Sequence, residues 1–180
     1  MKDLSYFEER DLKNRAKIED ILSAIPSFCY DYQISMESRG LSSLSRLNYL
    51  IDIKIFFEFL ADYLGKEIKS ISLEELGGLK PIDFQTFLSE QAKGRVIVSD
   101  GKKRLLKSGV KAQARKLSAI KSLYKYLFNN DLISSNVTTK VETPKIADDN
   151  HKIRRLYSDE IQPMLTSTKY NDLQNHHKYF

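Results

Sequence analysis

The stretch that most constrains this chain is residues 110–128, VKAQARKLSAIKSLYKYLF. At about 100° per residue, Val110, Ala114, Leu117, Ile120, Leu123, Tyr124, Leu127 and Phe128 fall on one broad apolar arc. Lys111, Arg115, Ser118, Ser122 and Lys125 fall together on the opposite arc. The spacing predicts one helix with a core face and an outer face of cations and hydroxyls only. From Gly101 to Asn130 there is no Asp or Glu, while Lys102, Lys103, Arg104, Lys107, Lys111, Arg115, Lys116, Lys121 and Lys125 make nine cations. The whole chain is +5, so the remainder sums to about −4. Positive charge focused in this way is the electrostatic footprint of a surface that meets nucleic acid. Lys116 lies off the basic arc and reads as a solvated charge.

The totals set outer bounds. A chain of 180 residues holds one ordinary domain with extensions, or two small ones. Hydrophobic residues at 41% supply a core, and a pI near 9.1 points to a soluble protein with an anionic partner. No apolar run approaches the roughly 20 residues that span a bilayer, so no membrane is expected. The N-terminus, MKDLSYFEERDLKNR, is polar and mixed in charge, unlike a secretory signal. The single Cys29 excludes an internal disulfide framework and fits a reducing cytoplasm. Within Phe28-Cys29-Tyr30 it reads as a small core residue. No glycine-rich phosphate loop and no Ser-His-Asp constellation appears, so no cofactor and no small-molecule substrate are expected. His176 and His177 lack companion ligands at metal spacing, so no metal site is expected either.

Along the chain, residues 4–22 read as a helix with few apolar anchors. Pro26 opens the next, in which Phe28, Tyr32 and Met36 recur at i+4 before Gly40 stops it. Ser42 is an N-cap candidate for a long apolar helix over 44–64, through Leu47, Leu50, Ile51, Ile53, Phe57, Leu60 and Leu64. That stripe argues for a central helix buried on more than one side, ended by Gly65. Ser72 and Glu75 form a capping box, and Gly77-Gly78 cut that helix short. Pro81 and Asp83 open another, with Phe84, Phe87 and Leu88 facing inward. Residues 93–109 read as a basic loop or small hairpin around Val96-Ile97-Val98. After the helix at 110–128, a polar linker containing Pro144 runs to Asn150, and Ser158-Asp159-Glu160 starts a last short helix. The fold class is all-α: a bundle of four or five helices followed by a linker and the start of a second domain. The boundaries are an N-terminal helical extension at 1–24, the bundle at 25–132, the linker at 133–155, and a partial second domain or disordered tail at 156–180.

This order of signals resembles the N-terminal core-binding domain of the tyrosine recombinases, the phage integrase and Xer type. Residues 28–60 have the pattern of that family's first two helices, with Gly40-Leu41-Ser42 as the turn between them. Ile71-Ser72-Leu73 and residues 82–88 resemble the third, and residues 114–127 closely resemble the fourth. Leu132 to Asn136, with Pro144-Lys145, resemble the exit into the interdomain linker. Leu156 to Ile161 resembles the start of the catalytic domain. The resemblance covers about residues 25–165. Val137 stands where the family usually has Pro, and the basic loop at 93–109 is an insertion.

The resemblance implies a SAM-like helical domain on one side of a DNA duplex in a C-shaped clamp, serving DNA integration or recombination. It implies double-stranded DNA as partner, and other recombinase subunits in a tetramer on two duplexes. Carried over by position, Ser42, Ser43, Ser45, Arg46, Tyr49 and Lys54 of the second helix would face the DNA. So would Lys111, Arg115, Ser118, Lys121, Ser122 and Lys125 of the fourth. Lys102, Lys103, Arg104 and Lys107 of the basic loop would add phosphate contacts, and Lys140 and Lys145 would follow the backbone along the linker. The family's Arg, Lys, His and Tyr catalytic set would lie beyond this chain, so the chain itself is expected not to cut DNA. His151-Lys-Ile-Arg154 spells the family's His-x-x-Arg but sits in the linker, and Tyr179 lies too early to be the nucleophile. Two alternatives stand beside this reading: a helical protein-interaction module with a basic face, and a free-standing, non-catalytic DNA-binding regulator.

Overall fold

The structure, a computed structural model, describes residues 5–99 and 102–145, together with Ile161 and Pro163. The expected helix start at Ser158, the His151–Arg154 motif, His176, His177 and Tyr179 lie outside the described residues.

Among the described residues from 5 to 145, six helices form an all-α bundle, with one two-stranded hairpin inserted between the last two. They are α1 (Tyr6–Ala24), α2 (Phe28–Ser38), α3 (Ser43–Leu64), α4 (Leu73–Gly78), α5 (Pro81–Lys93) and α6 (Val110–Asn129). Their ends follow local chemistry. Ser5 caps α1 with a full capping box to Glu8, a signal the sequence reading passed over. Gly40 at φ 76° and Gly65 at φ 64° take the left-handed turns that stop α2 and α3. Ser42 caps α3, Ser72 and Glu75 box α4, and Pro81 opens α5. The insertion is a hairpin of β1 (Arg95–Ser99) and β2 (Lys102–Leu106), antiparallel, with Ile97 opposite Arg104.

The core gathers around α3. Phe56, absent from the expected stripe, is fully buried. Its ring lies 5.3 Å from that of Phe87 and 5.6 Å from that of Phe84, which brings α5 onto α3. Helix α6 adds Leu117, Ile120, Leu123, Tyr124 and Leu127, and Tyr124 donates its hydroxyl to the carbonyl of Leu76 at 3.0 Å. Cys29 is fully buried. Helix α1 packs along α3, where Ser43 donates to Asp11 at 2.6 Å and accepts from Asn14 at 3.0 Å. After α6, Ile133, Thr138 and Val141 are buried, so the chain stays docked past a 3-10 turn at Val137–Lys140.

Two expectations need correction. Ile51, Val110 and Phe128 were assigned to apolar faces, yet each is more than a third exposed, because helices α3 and α6 bury a narrower arc at those points. Lys116 is not a solvated charge. It is buried, and its ammonium donates to Gln91 Oε1 and Ser108 Oγ, both at 2.6 Å. It thereby ties α5, the segment after the hairpin and α6 together. Among the described residues, no helix is long and apolar enough to cross a membrane.

Candidate nucleic-acid interface

The outer face of α6 sits beside the C-terminal end of α2. Between them opens a groove of about 470 Å³. Helix α6 and the turn after it line the groove with Ser118, Lys121, Ser122, Lys125, Tyr126, Asn129 and Asn130, and the α2 side adds Ser35 and Arg39. Every one of these polar side chains can donate a hydrogen bond, and none is acidic. A groove of this chemistry suits an anion with several oxygens, such as a phosphodiester.

Each groove residue is set by its neighbours. Arg39 is exposed, and its Nε donates to the carbonyl of Ser35 at 3.1 Å. Ser122 accepts from the Tyr32 hydroxyl at 2.9 Å. Burial pushes that phenol up to about 12. Tyr126 lies half-buried against Tyr32, 5.4 Å between ring centroids, as a packing group. Ser118 turns its hydroxyl back to the carbonyl of Ala114 at 2.9 Å. Lys121 reaches across to the exit segment, donating to the carbonyl of Val141 at 2.7 Å and to Thr143 Oγ1 at 3.3 Å. Lys125 and Lys111 are exposed on the same face.

On the α3 side of α6, Arg115 makes an ion pair with Asp52, Nη1 to Oδ2 at 2.7 Å. Asp52 is 1% exposed. Burial pushes its carboxyl above the usual range, and the charges of Arg115 and Lys116 pull it back. Sequence periodicity gave no hint of this carboxylate, because a single Asp within an apolar helix reads as its solvent-facing position.

The other residues singled out by sequence scatter. Ser43 and Arg46 are buried: Ser43 serves the α1–α3 contact, and Arg46 Nη1 lies 2.6 Å from Glu37 Oε2. The Arg46 guanidinium beside it, with a hydrogen bond from Gln33, holds the Glu37 carboxyl below its ordinary value. Ser42 and Ser45 are spent on the α3 cap, Tyr49 packs against the core, and Lys54 pairs with Glu58 at 3.9 Å. Lys107, Lys140 and Lys145 are exposed but lie outside the groove. Lys102, Lys103 and Arg104 stand on β2. The structure thus brings Ser118, Lys121, Ser122 and Lys125 together, and it adds Ser35, Arg39, Asn129 and Asn130, which the sequence reading missed. Arg39 beside the helix-stopping Gly40 was the one available signal.

Comparison with known proteins agrees with the sequence pattern. The tyrosine recombinases XerC of two Leptospira interrogans strains, serovars copenhageni and Lai, are each 30% identical to this chain over 98 residues. That match covers 54% of this chain and 25% of each relative. The chain is similar to tyrosine recombinases. Tyrosine recombinase XerC of Chlorobaculum tepidum is 29% identical over 119 residues, covering 64% of this chain and 31% of the relative. The matched part therefore spans between a quarter and a third of these relatives' length. No protein-family model matches the chain. No solved structure matches it.

Proposed function

We propose that the helical bundle is the DNA-gripping, core-binding part of a site-specific tyrosine recombinase, seated on one side of a recombination half-site. The observation that carries this reading is the acid-free groove along α6, with Arg39, Lys121 and Lys125 around it. The similarity to recombinases named XerC supports it. Lys111, Lys125, Arg39 and Lys107 are the grips on phosphate, and the β1–β2 hairpin with Lys102, Lys103 and Arg104 extends them along the backbone. Lys121 ties the exit segment to α6, and Lys140 and Lys145 follow the DNA backbone along the linker. Residues 133–155 are the linker in this reading. No residue from 5 to 145 is assigned a catalytic role. Strand cleavage and exchange belong to another part of a longer recombinase, acting in the cytoplasm with other subunits.

Titration of labelled duplex DNA with this chain at several salt concentrations tests the reading. Neutralising four phosphates, one for each of the grips Lys111, Lys125, Arg39 and Lys107, gives a log–log slope of about −3.6. Binding at least that salt-dependent is the expected result. Weak binding with a flat salt response, alongside tight capture of acidic polypeptides, would instead favour a protein-interaction module.

A further inference from the structure

Asp52 is an odd residue to find where it is. It lies near the middle of the most apolar helix in the bundle, close in sequence to the buried Ile53, Phe56 and Phe57. An ionised carboxylate is costly there unless it is paired. Its Oδ2 meets the Arg115 guanidinium at 2.7 Å, whereas its Oδ1 is buried with no hydrogen-bond partner. Half-satisfied buried carboxylates are poor stabilisers, so bundle stability alone does not account for this one.

The partner tells more. The Arg115 side chain is 55% exposed, so Asp52 holds it from beneath while much of it faces solvent. A guanidinium carries five N–H donors in a rigid fork. One nitrogen is engaged by Asp52, and the outward donors remain for a ligand. Fixing the fork in advance removes ordering that would otherwise accompany binding. It also sets direction, which a lysine ammonium cannot do, being a point charge on a flexible stem. Asp52 offsets the Arg115 charge as well, which makes the pair a poor grip for phosphate. A fixed fork with little net charge is suited to a flat, two-acceptor edge. Guanine presents such an edge in the major groove, through O6 and N7.

We propose that Asp52 is a positioning residue that holds Arg115 as the base-reading side chain of this surface, selecting a guanine, while the lysines and Arg39 grip phosphates. This rests on the DNA-binding reading above. The two kinds of contact differ in what they control. Losing a grip weakens binding to all sequences and flattens the salt slope. Losing the reader relaxes preference at one base pair and leaves the slope in place.

The test is selection from a randomised duplex pool by the wild-type chain, Asp52→Asn and Arg115→Lys, with salt titrations on the selected site. Asp52→Asn keeps size and removes a buried charge, and Arg115→Lys keeps charge and removes the fork. The wild type is expected to select a G·C pair at one position. Both variants are expected to lose roughly five- to 150-fold preference at that same position, with unchanged salt slopes and with melting curves that show a folded bundle. Retention of the wild-type preference by Asp52→Asn would overturn the proposal. So would an even loss of preference across all positions, the mark of a purely structural role. If the wild type itself binds no duplex, the DNA-binding reading fails first, and that result is read before either variant is considered.

Discussion

Helices α3 and α6 both carry polar residues that the family resemblance directs toward DNA, and the fold treats them in opposite ways. On α6, Ser118, Lys121, Ser122 and Lys125 line one groove, and Lys111 is exposed on the same face. On α3 two of them are drawn into the structure. Ser43 is buried against α1 and Arg46 against Glu37, and Asp52, a polar residue outside that set, is buried beneath Arg115. The difference comes from position. Helix α3 meets α1 along the face that carries Ser43 and α2 where Arg46 faces Glu37, while α6 leaves the face of Lys111 and Lys125 exposed. A polar residue on an exposed face is a surface group. On a face that meets another helix it is more often a strut between neighbours.

That contrast can be broken by substitution, beginning with the largest effect. Phe56→Ala removes a ring that meets four other aromatic rings. It should cost about 3–5 kcal/mol in chemical denaturation. A loss under about 1 kcal/mol would mean that α3 is not the centre of the core. Arg46→Ala comes next. It removes a buried guanidinium that pairs with a half-exposed carboxylate, for about 1–3 kcal/mol. Its salt slope for duplex binding should match the wild type, and a flatter slope would restore Arg46 as a DNA contact.

Lys121→Ala addresses the boundary between the two behaviours, because this α6 cation is also a strut to Val141. It should lose about 1 kcal/mol. Amide exchange should quicken at Val141, whose own N–H is bonded to the Thr138 carbonyl. Unchanged exchange there would leave Lys121 as a groove residue only.

The smallest effect concerns pH. Glu37 is held below its ordinary value, chiefly by the Arg46 guanidinium beside it. Its contribution to stability is present above about pH 4.3, the ordinary glutamate value, and is lost as pH falls through the lower folded value. Burial raises Asp52, so that group works in the opposite sense: folding takes up a proton, and stability is gained as pH falls. In thermal melts between about pH 5 and 3, spanning the ordinary carboxylate values, Glu37→Gln should therefore be less acid-sensitive than wild type, and Asp52→Asn more so. Equal pH profiles for all three would remove both assignments.

Much of the bundle was legible in the sequence because its helix ends are written in local chemistry. Gly40, Gly65, Ser42, the Ser72–Glu75 box and Pro81 each act over a few residues, and each stands where the spacing predicts. The outer face of α6 was legible in part: Lys111 and Lys125 are exposed where periodicity puts them, while Val110, Phe128 and Lys116 depart from the two-faced pattern. What periodicity could not supply was contact between distant segments. Lys116 with Gln91, Arg115 with Asp52 and Ser43 with Asp11 join residues 25, 63 and 32 positions apart in the sequence. Nothing local distinguishes such a residue from a solvated one. The second wall of the groove, at Ser35 and Arg39, was missed likewise, because it depends on how α2 lies against α6.

The most direct test of the central claim is the salt dependence of duplex binding by the double variant Arg39→Ala, Lys125→Ala, compared with wild type. If the α6 groove grips DNA, the variant binds more weakly, and its log–log slope is shallower by about 1.8, two phosphate contacts at 0.9 each. Equal affinity and equal slope would place the DNA, or whatever anion this chain meets, on another face.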